Sequence, residues 1–284
     1  MDNRINFEKY SFSHRLKSMM KVDLSRMLKS KLVYIMVAVS LLVPIVMTVM
    51  LTMMDGQESK NPQTGEITVM EGPESVWESI GTIPEVAPTP SVEGTDSDAM
   101  AAMGDMDVMA MCNVNMAFMG VCVFVCLFIS DDFRSGYAKN LFTRRAKKGD
   151  YVFSKTVMGI IVGALMLIAY FIGAMLGGAV SGLSFELTGG INPVNILMCM
   201  IAKIFLMAVF VSIFTLISLG AKHRAWLSIT GSLGGGMLLF MMVSMITPLN
   251  STVLNVILCL AGGALFSVGL GIAGKTVLEK TSLV

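Results

Sequence analysis

Six apolar runs separated by polar stretches of unequal length set the pattern of this chain: 32–54, 108–130, 156–180, 195–219, 226–247 and 252–274. A helix needs about 20 apolar residues to cross a hydrocarbon core of about 30 Å. Each run is long enough and none contains Asp or Glu, so the pattern predicts six transmembrane helices. Ahead of the first run, Leu16, Met20, Leu24, Met27 and Leu28 recur on one side of a helix over 15–31, while Lys17, Lys21, Arg26 and Lys29 point elsewhere. This predicts an amphipathic helix lying along the membrane surface, either as a basic anchor for the first span or as an elbow against a partner. The long polar stretch caught between two spans, 131–155, has Phe133, Tyr137 and Leu141 four residues apart, which predicts a surface helix with one greasy stripe. Ser135 or Asp132 is placed to cap its start, Gly149 to stop it, and Asp150 to cap the helix that re-enters the lipid.

Composition and charge turn this pattern into a topology. With 54% hydrophobic and 14% charged residues the chain is no ordinary soluble globule. Eight Lys/Arg lie in the head up to Lys31, seven in 131–155, two in 220–225 and two in the tail. The segment 55–107 has one Lys against twelve acids, and the other two links on that side have no Lys or Arg. Basic segments stay on the inner face. The expected fold is therefore an all-α, polytopic helix bundle in the cell membrane, with six spans and both termini cytoplasmic. It divides into a cytosolic amphipathic segment (1–31) and a transmembrane domain (32–284), the latter carrying an external loop (55–107) and a cytosolic loop (131–155). The first run is too long for the core of a signal peptide and lacks a small-residue exit, so no cleaved leader is expected. The acidic loop, with little to form a core of its own, either complements the inside charge bias or gathers cationic substrates at the outer mouth.

Candidate chemistry is sparse. All five cysteines fall in apolar runs and read as small packing residues, with neither a disulfide framework nor zinc spacing. Met100, Met103, Met106 and Met109 repeat every three residues, followed by Met111; thioethers suit Cu(I), but in a chain with 27 Met a Met-rich helix start is favoured and no metal site is assigned. The intramembrane polar residues are Asn113, Asn115 and Lys203. Buried amides in lipid bond to other helices more often than to substrate. Lys203, the one charge within a span, costs roughly 3 kcal/mol near mid-bilayer, so it snorkels, faces a polar cavity, or marks a later start of the fourth span. Pro44 frees a carbonyl in the first span. The pairs Gly159/Gly163, Gly173/Gly177 and Gly231/Gly235 have the spacing of close helix contacts, with unspecified partners. His14 and His223 fall on the cytosolic side. Gly269, Gly274, Lys275 and Thr276 match a phosphate-loop pattern, but that loop belongs between a strand and a helix of an α/β domain. Here it sits where an apolar helix leaves the membrane, so Lys275 and Lys280 read as inner-face anchors. An intramembrane enzyme or an ion-coupled carrier would need carboxylates or His inside the spans, and the runs supply one Lys and no acid.

The layout of six spans behind a basic amphipathic head, with both ends inside, resembles the type 2 ATP-binding-cassette (ABC) exporter membrane subunits. Most specific is the stretch Asp132, Phe133, Arg134, Ser135, Gly136 and Leu141, followed by Arg144, Arg145 and Lys155. Relatives commonly carry an acidic-aromatic-Arg-Ser-Gly run there, with Glu-Tyr in place of this Asp-Phe. The acidic loop is outside the shared pattern. The resemblance implies that 131–155 forms a coupling helix docking on a soluble ATP-binding subunit, and that two permeases work with two ATPases. It also implies that this chain is not itself an enzyme: ATP is bound by the partner and no cofactor by this chain. Expected partners are that ATPase, a second permease copy or paralogue, and membrane lipids, not nucleic acid. The rival reading is a non-transporting scaffold or immunity subunit associated with an ATPase.

Overall fold

The computed structural model describes residues 12–56, 58–60, 67–69, 72–80, 114–143, 146–187 and 192–280. Its helices are α1 (Phe12–Lys29), α2 (Lys31–Met54), α3 (Val76–Ile80), α4 (Met116–Arg134), α5 (Tyr137–Thr143), α6 (Lys148–Ser181), α7 (Pro193–Ala221), α8 (Ala225–Ile246) and α9 (Val253–Lys280). Among the described residues the helices are joined by a short antiparallel pair, β1 (Glu58–Lys60) and β2 (Ile67–Val69), and a single parallel bridge between Ser75 and Ser184. Five helices, α2, α4, α6, α7 and α9, are long and apolar enough to cross a membrane. The molecule is a helical membrane bundle. The fifth predicted run forms α8, 22 residues with no charged side chain.

Centrality belongs to α6 and α7. Helix α7 packs on α4, α6, α8 and α9, while α6 packs on α1, α2, α3, α4, α7 and α9. The glycine pairs decide who meets whom. Gly159 and Gly163 of α6 face Val211 and Met207 of α7 and Val125 and Val121 of α4. One turn-pair further out, Gly173 and Gly177 face Leu41, Pro44, Ile45 and Thr48 of α2, and Gly231 faces Ile217 of α7. At Gly173 a methyl group would run into the Leu41 carbonyl and the Pro44 ring, so α2 lies on α6 at a distance only glycine allows. The outer faces of α2 and α9 remain apolar and exposed, as at Ile35, Leu42, Val46, Leu258, Leu265 and Ile272. An exposed surface of that kind belongs in lipid.

Several local expectations change. The second helix begins at Met116 rather than at 108, and α6 begins eight residues before the apolar run that starts at Thr156. At 34 residues, α6 is about 51 Å long at 1.5 Å per residue, so its first turns stand clear of a hydrocarbon core of about 30 Å. Gly149 is thus not a stop but part of the first turn of α6, and Asp150 caps nothing: α6 has no side-chain cap, and Asp150 is bonded to Arg15 instead. The stripe of α1 is rotated. Leu24 and Leu28 are exposed, whereas Met19, Met20, Asp23 and Met27 face the bundle. Ser30 breaks α1 from α2 by accepting the Leu32 N–H. Part of the acidic loop is pinned down: Val76 and Ile80 of α3 are buried against α6, the Val76 N–H donates to the Ser184 carbonyl, and Trp77 Nε1 donates to the Phe185 carbonyl. The rest of 81–113, including the methionine repeat, Cys112 and Asn113, lies outside the described residues, as do Arg144 and Arg145.

If the α2–α6 seam depends on Gly173, Gly173→Ala should lower the protein's stability in detergent by about 1–3 kcal/mol through overpacking. Gly262→Ala, where nothing lies within 4 Å, should not lower it. Equal melting curves for both variants would refute the seam.

Candidate functional site

The site is built from four pieces of chain that meet where α4 and α6 leave the apolar zone. Helix α4 ends in Ser130, Asp131, Asp132, Phe133 and Arg134, and Ser135, which follows it as the cap, donates its N–H to the Asp131 carbonyl. Gly136, at φ +72, turns the chain into α5. That left-handed conformation suits glycine because it has no Cβ to clash. Helix α5 is only seven residues long, shorter than the stripe over 131–148 implied. Phe133 therefore belongs to α4. Neither Ser135 nor Asp132 caps the short helix: Ser135 closes α4, and Asp132 has turned inward.

Asp132 is the centre of a buried charge cluster. Its Oδ2 accepts from the Tyr151 hydroxyl at 2.9 Å and lies 2.7 Å from Lys155 Nζ, while Oδ1 lies 2.8 Å from Arg26 Nη1. That last contact is off the hydrogen-bond line and acts as a charge contact. Lys155 also donates to Asp23 Oδ1 at 2.8 Å, and Ser154 donates to Asp23 Oδ2 at 2.6 Å. Side chains of Asp23, Asp132 and Lys155 are at most 1% exposed; that of Arg26 is 30% exposed. Two carboxylates and two cations make the cluster neutral, which is what allows it to be dry. Aromatic rings complete the shell: the Arg26 guanidinium lies 3.8 Å from the Tyr137 ring centre and Lys155 Nζ 4.1 Å from that of Phe128. Burial pulls the Arg26 guanidinium down, but Asp132, with Tyr137 and Asp23 behind it, outweighs this and pushes it up. Burial, then the charge of Asp23, pushes the Tyr137 hydroxyl up, against the opposing effect of Arg26.

The cluster fastens α1, α4 and α6 together and seats α5 on them. Ala138 is buried, and Phe142 packs edge-on against Tyr151 with ring centres 5.3 Å apart. Phe133 and Leu141 are half-buried. The opposite side of the turn is open: Asp131, Arg134, Ser135, Lys139, Asn140 and Thr143 are exposed. The residues singled out from sequence thus divide into an inner group led by Asp132 and an outer group led by Arg134 and Ser135. Sequence reasoning missed Asp23, Arg26 as an ion-pair partner, and Tyr151. Asp23 carried a signal, being an acid spaced three residues after Met20 and four before Met27 on the inward stripe. Ser130 of α4 reaches a second link on the same side, donating to the carbonyl of Lys222 at 2.8 Å. Lys222 has φ +54, a strained setting for a residue with a side chain.

A second polar site lies near the other ends of these helices. Lys203, ten residues into α7 and 2% exposed, donates to Asn115 Oδ1 at 2.6 Å and to the hydroxyl and carbonyl oxygens of Thr247 at 2.9 and 3.2 Å. It neither snorkels nor marks a later start of α7. The Thr247 hydroxyl gives its own proton to the Val243 carbonyl, so the three contacts all draw donors from Nζ and suit a charged ammonium. Among the described residues no carboxylate meets it. Between the two sites, Cys126 of α4 joins Ser232 of α8 and Ser218 of α7, and Ser218 meets Ser228 at 2.7 Å. This is interhelical polar packing, and the four described cysteines are free thiols. No group of three or more His, Cys, Asp or Glu suited to a metal occurs among the described residues. Gly269 to Thr276 lie inside α9, a helix and not a phosphate-cradling loop.

No protein-family model matches the chain, no curated protein is similar to it, and no solved structure matches it. The fold and its paired polar sites define a multi-pass helical membrane protein. The resemblance to ABC exporter subunits rests on the basic amphipathic head, the layout of the spans, and Asp132–Gly136 with Leu141 and the basic residues that follow.

Two substitutions separate the sites. Lys155→Met strands Asp23 and Asp132 and should cost about 3–5 kcal/mol, with Lys155→Met/Asp132→Asn losing less than the sum of the singles; additive losses in chemical denaturation would show that the two do not interact. Lys203→Gln keeps a donor and removes a buried charge, so its melting midpoint should stay level or rise. A fall of several degrees would make the ammonium a structural requirement.

Proposed function

We propose that this chain is the permease subunit of an ABC exporter. In this reading it has six spans, both termini in the cytoplasm, and a separate soluble subunit that hydrolyses ATP. The observation that carries the reading is the mounting of α5. A short helix with an exposed polar face sits on a buried, neutral charge cluster shared by α1, α4 and α6.

Such a mounting suits a lever. A force applied to Arg134, Ser135, Lys139 or Asn140 by closure of an ATPase pair passes through Asp132 and Lys155 into whole helices, because only Ser135 and Gly136 separate α4 from α5. Helix α4 carries Asp132 near its inner end and is preceded by Asn115, the partner of Lys203. The two residues are 17 positions apart, about 26 Å along a helix, so a displacement of α4 by the inner cluster changes the contact at Lys203. A rocking motion between two packed arrangements is the expected bistable element.

The test uses the protein with any soluble ATPase that copurifies with it, and finding none would overturn the proposal. Arg134→Glu/Lys139→Glu should cut copurification of the ATPase and substrate-stimulated hydrolysis by roughly tenfold or more, the scale of two reversed interfacial charges, with an unchanged melting midpoint. Ser135→Cys should label only from the cytosolic side. Intact coupling in the charge-reversed variant, or labelling from outside, would overturn the proposal; an ATPase that binds but responds to no substrate would favour the scaffold or immunity subunit.

A further inference from the structure

A cavity of about 590 Å³ opens at the rim of the bundle between the start of α1, the start of α6 and the end of α9. We propose that it holds one anionic phospholipid from the adjoining leaflet, the phosphate among lysines and an acyl chain along the apolar wall. The inference rests on the membrane-spanning bundle alone and does not need the transport reading.

Polarity in the cavity is graded in the same direction along both long helices. On α6 the order is Lys147 and Lys148, then Phe153; on α9, read from its end inward, it is Lys275, then Ile272 and Val268. The steps of five and seven residues correspond to about 8–10 Å of helix. Each helix therefore offers a cation at the water side and an apolar side chain a turn or two deeper. Phe153, Val268 and Ile272 are exposed and continue into the lipid-facing surface of α6 and α9. A lipid has this same sequence of chemistry, phosphate and then hydrocarbon.

Charge completes the match. Among the described residues the lining holds four cations, Arg15, Lys147, Lys148 and Lys275, against the two acids Asp150 and Glu279, a surplus of two positive charges. Arg15 lies 3.1 Å from Asp150, and Lys275 lies 3.8 Å from Glu279. Lys148 donates to the Leu278 carbonyl at 2.8 Å, which places its ammonium on the cavity wall without neutralising it. The stem of Lys275 crosses Gly149, where a methyl group would lie 3.5 Å from it. This brings the α9 cation to the first turn of α6, where the backbone N–H groups also favour an anion. A free phosphate would leave the apolar wall unused, and a soluble protein would have to enter at the level of the hydrocarbon.

The full-length protein in mild detergent is to be examined by native mass spectrometry with phosphatidylglycerol, phosphatidylcholine of the same chains, and glycerol 3-phosphate. The expected result is retention of phosphatidylglycerol over phosphatidylcholine by roughly tenfold or more, as for two lysines at a lipid surface. Lys147→Gln/Lys275→Gln, two exposed positions, should abolish the preference at an unchanged melting midpoint. Phe153→Ala should weaken retention of both lipids. Equal retention of the two lipids, or an unchanged preference in the lysine variant, overturns the proposal. Displacement by millimolar glycerol 3-phosphate would show a small-anion site instead. Loss of ATPase copurification in the lysine variant with lipid retention intact would assign the cavity to a protein partner.

Discussion

The contact between Asp132 and Lys155, 2.7 Å long and sealed from water, is the constraint from which the arrangement at that end of the bundle follows. A carboxylate and an ammonium in a dry site are tolerable only when each has further partners. Those partners are Asp23 and Arg26 of α1 and Tyr151 of α6, so with Asp132 itself on α4 the cluster draws on three helices. Satisfying the pair therefore fixes the surface helix α1 against the ends of α4 and α6. The cluster also explains the length of α6. Its first turns stand beyond the apolar run because they bring Asp150, Tyr151, Ser154 and Lys155 to α1 and α4.

Toward the middle of the bundle the ordering principle changes from charge to size. Lipid chains are as apolar as the side chains they would replace, so helices gain little from hydrophobic burial and depend on close contact and interhelical hydrogen bonds. Glycines on α6 provide the first, at Gly159 and Gly163 toward α7 and α4 and at Gly173 and Gly177 toward α2. The Cys126, Ser218, Ser228 and Ser232 group provides the second. At the far ends, Lys203, Asn115 and Thr247 again use polar bonds, here without a counter-charge among the described residues. Helix α4 takes part in all three regimes, and this continuity gives the proposed lever its reach.

Parts of the candidate site were legible one residue at a time but not in combination. The turn after the second span was visible as a polar stretch with an apolar stripe, but its bend falls at Ser135 and Gly136, where the stripe implied continuous helix. The stripe overstated the helix, because Phe133 completes α4 and Gly136, at φ +72, separates it from Tyr137. Asp132 looked like a helix cap and is instead buried in the charge cluster. Its role depends on Asp23, Arg26 and Lys155, which lie 109, 106 and 23 positions away in the chain and share no local pattern with it. Lys203 was conspicuous as an isolated charge, yet its partners Asn115 and Thr247 come from other helices.

By itself the sequence determined the class of molecule: apolar runs of span length without acids require helices in lipid, because backbone polar groups there have no water to bond to. It also determined where helices pass closely, since small residues at four-residue spacing leave room on one face. Only the tertiary structure decided which helices those faces meet, which way Asp132 and Asp23 point, and how far α6 extends past the membrane. The reason is physical: hydrophobic periodicity is written within one helix, whereas the match of a charge, or of a glycine gap, to its partner exists only between helices.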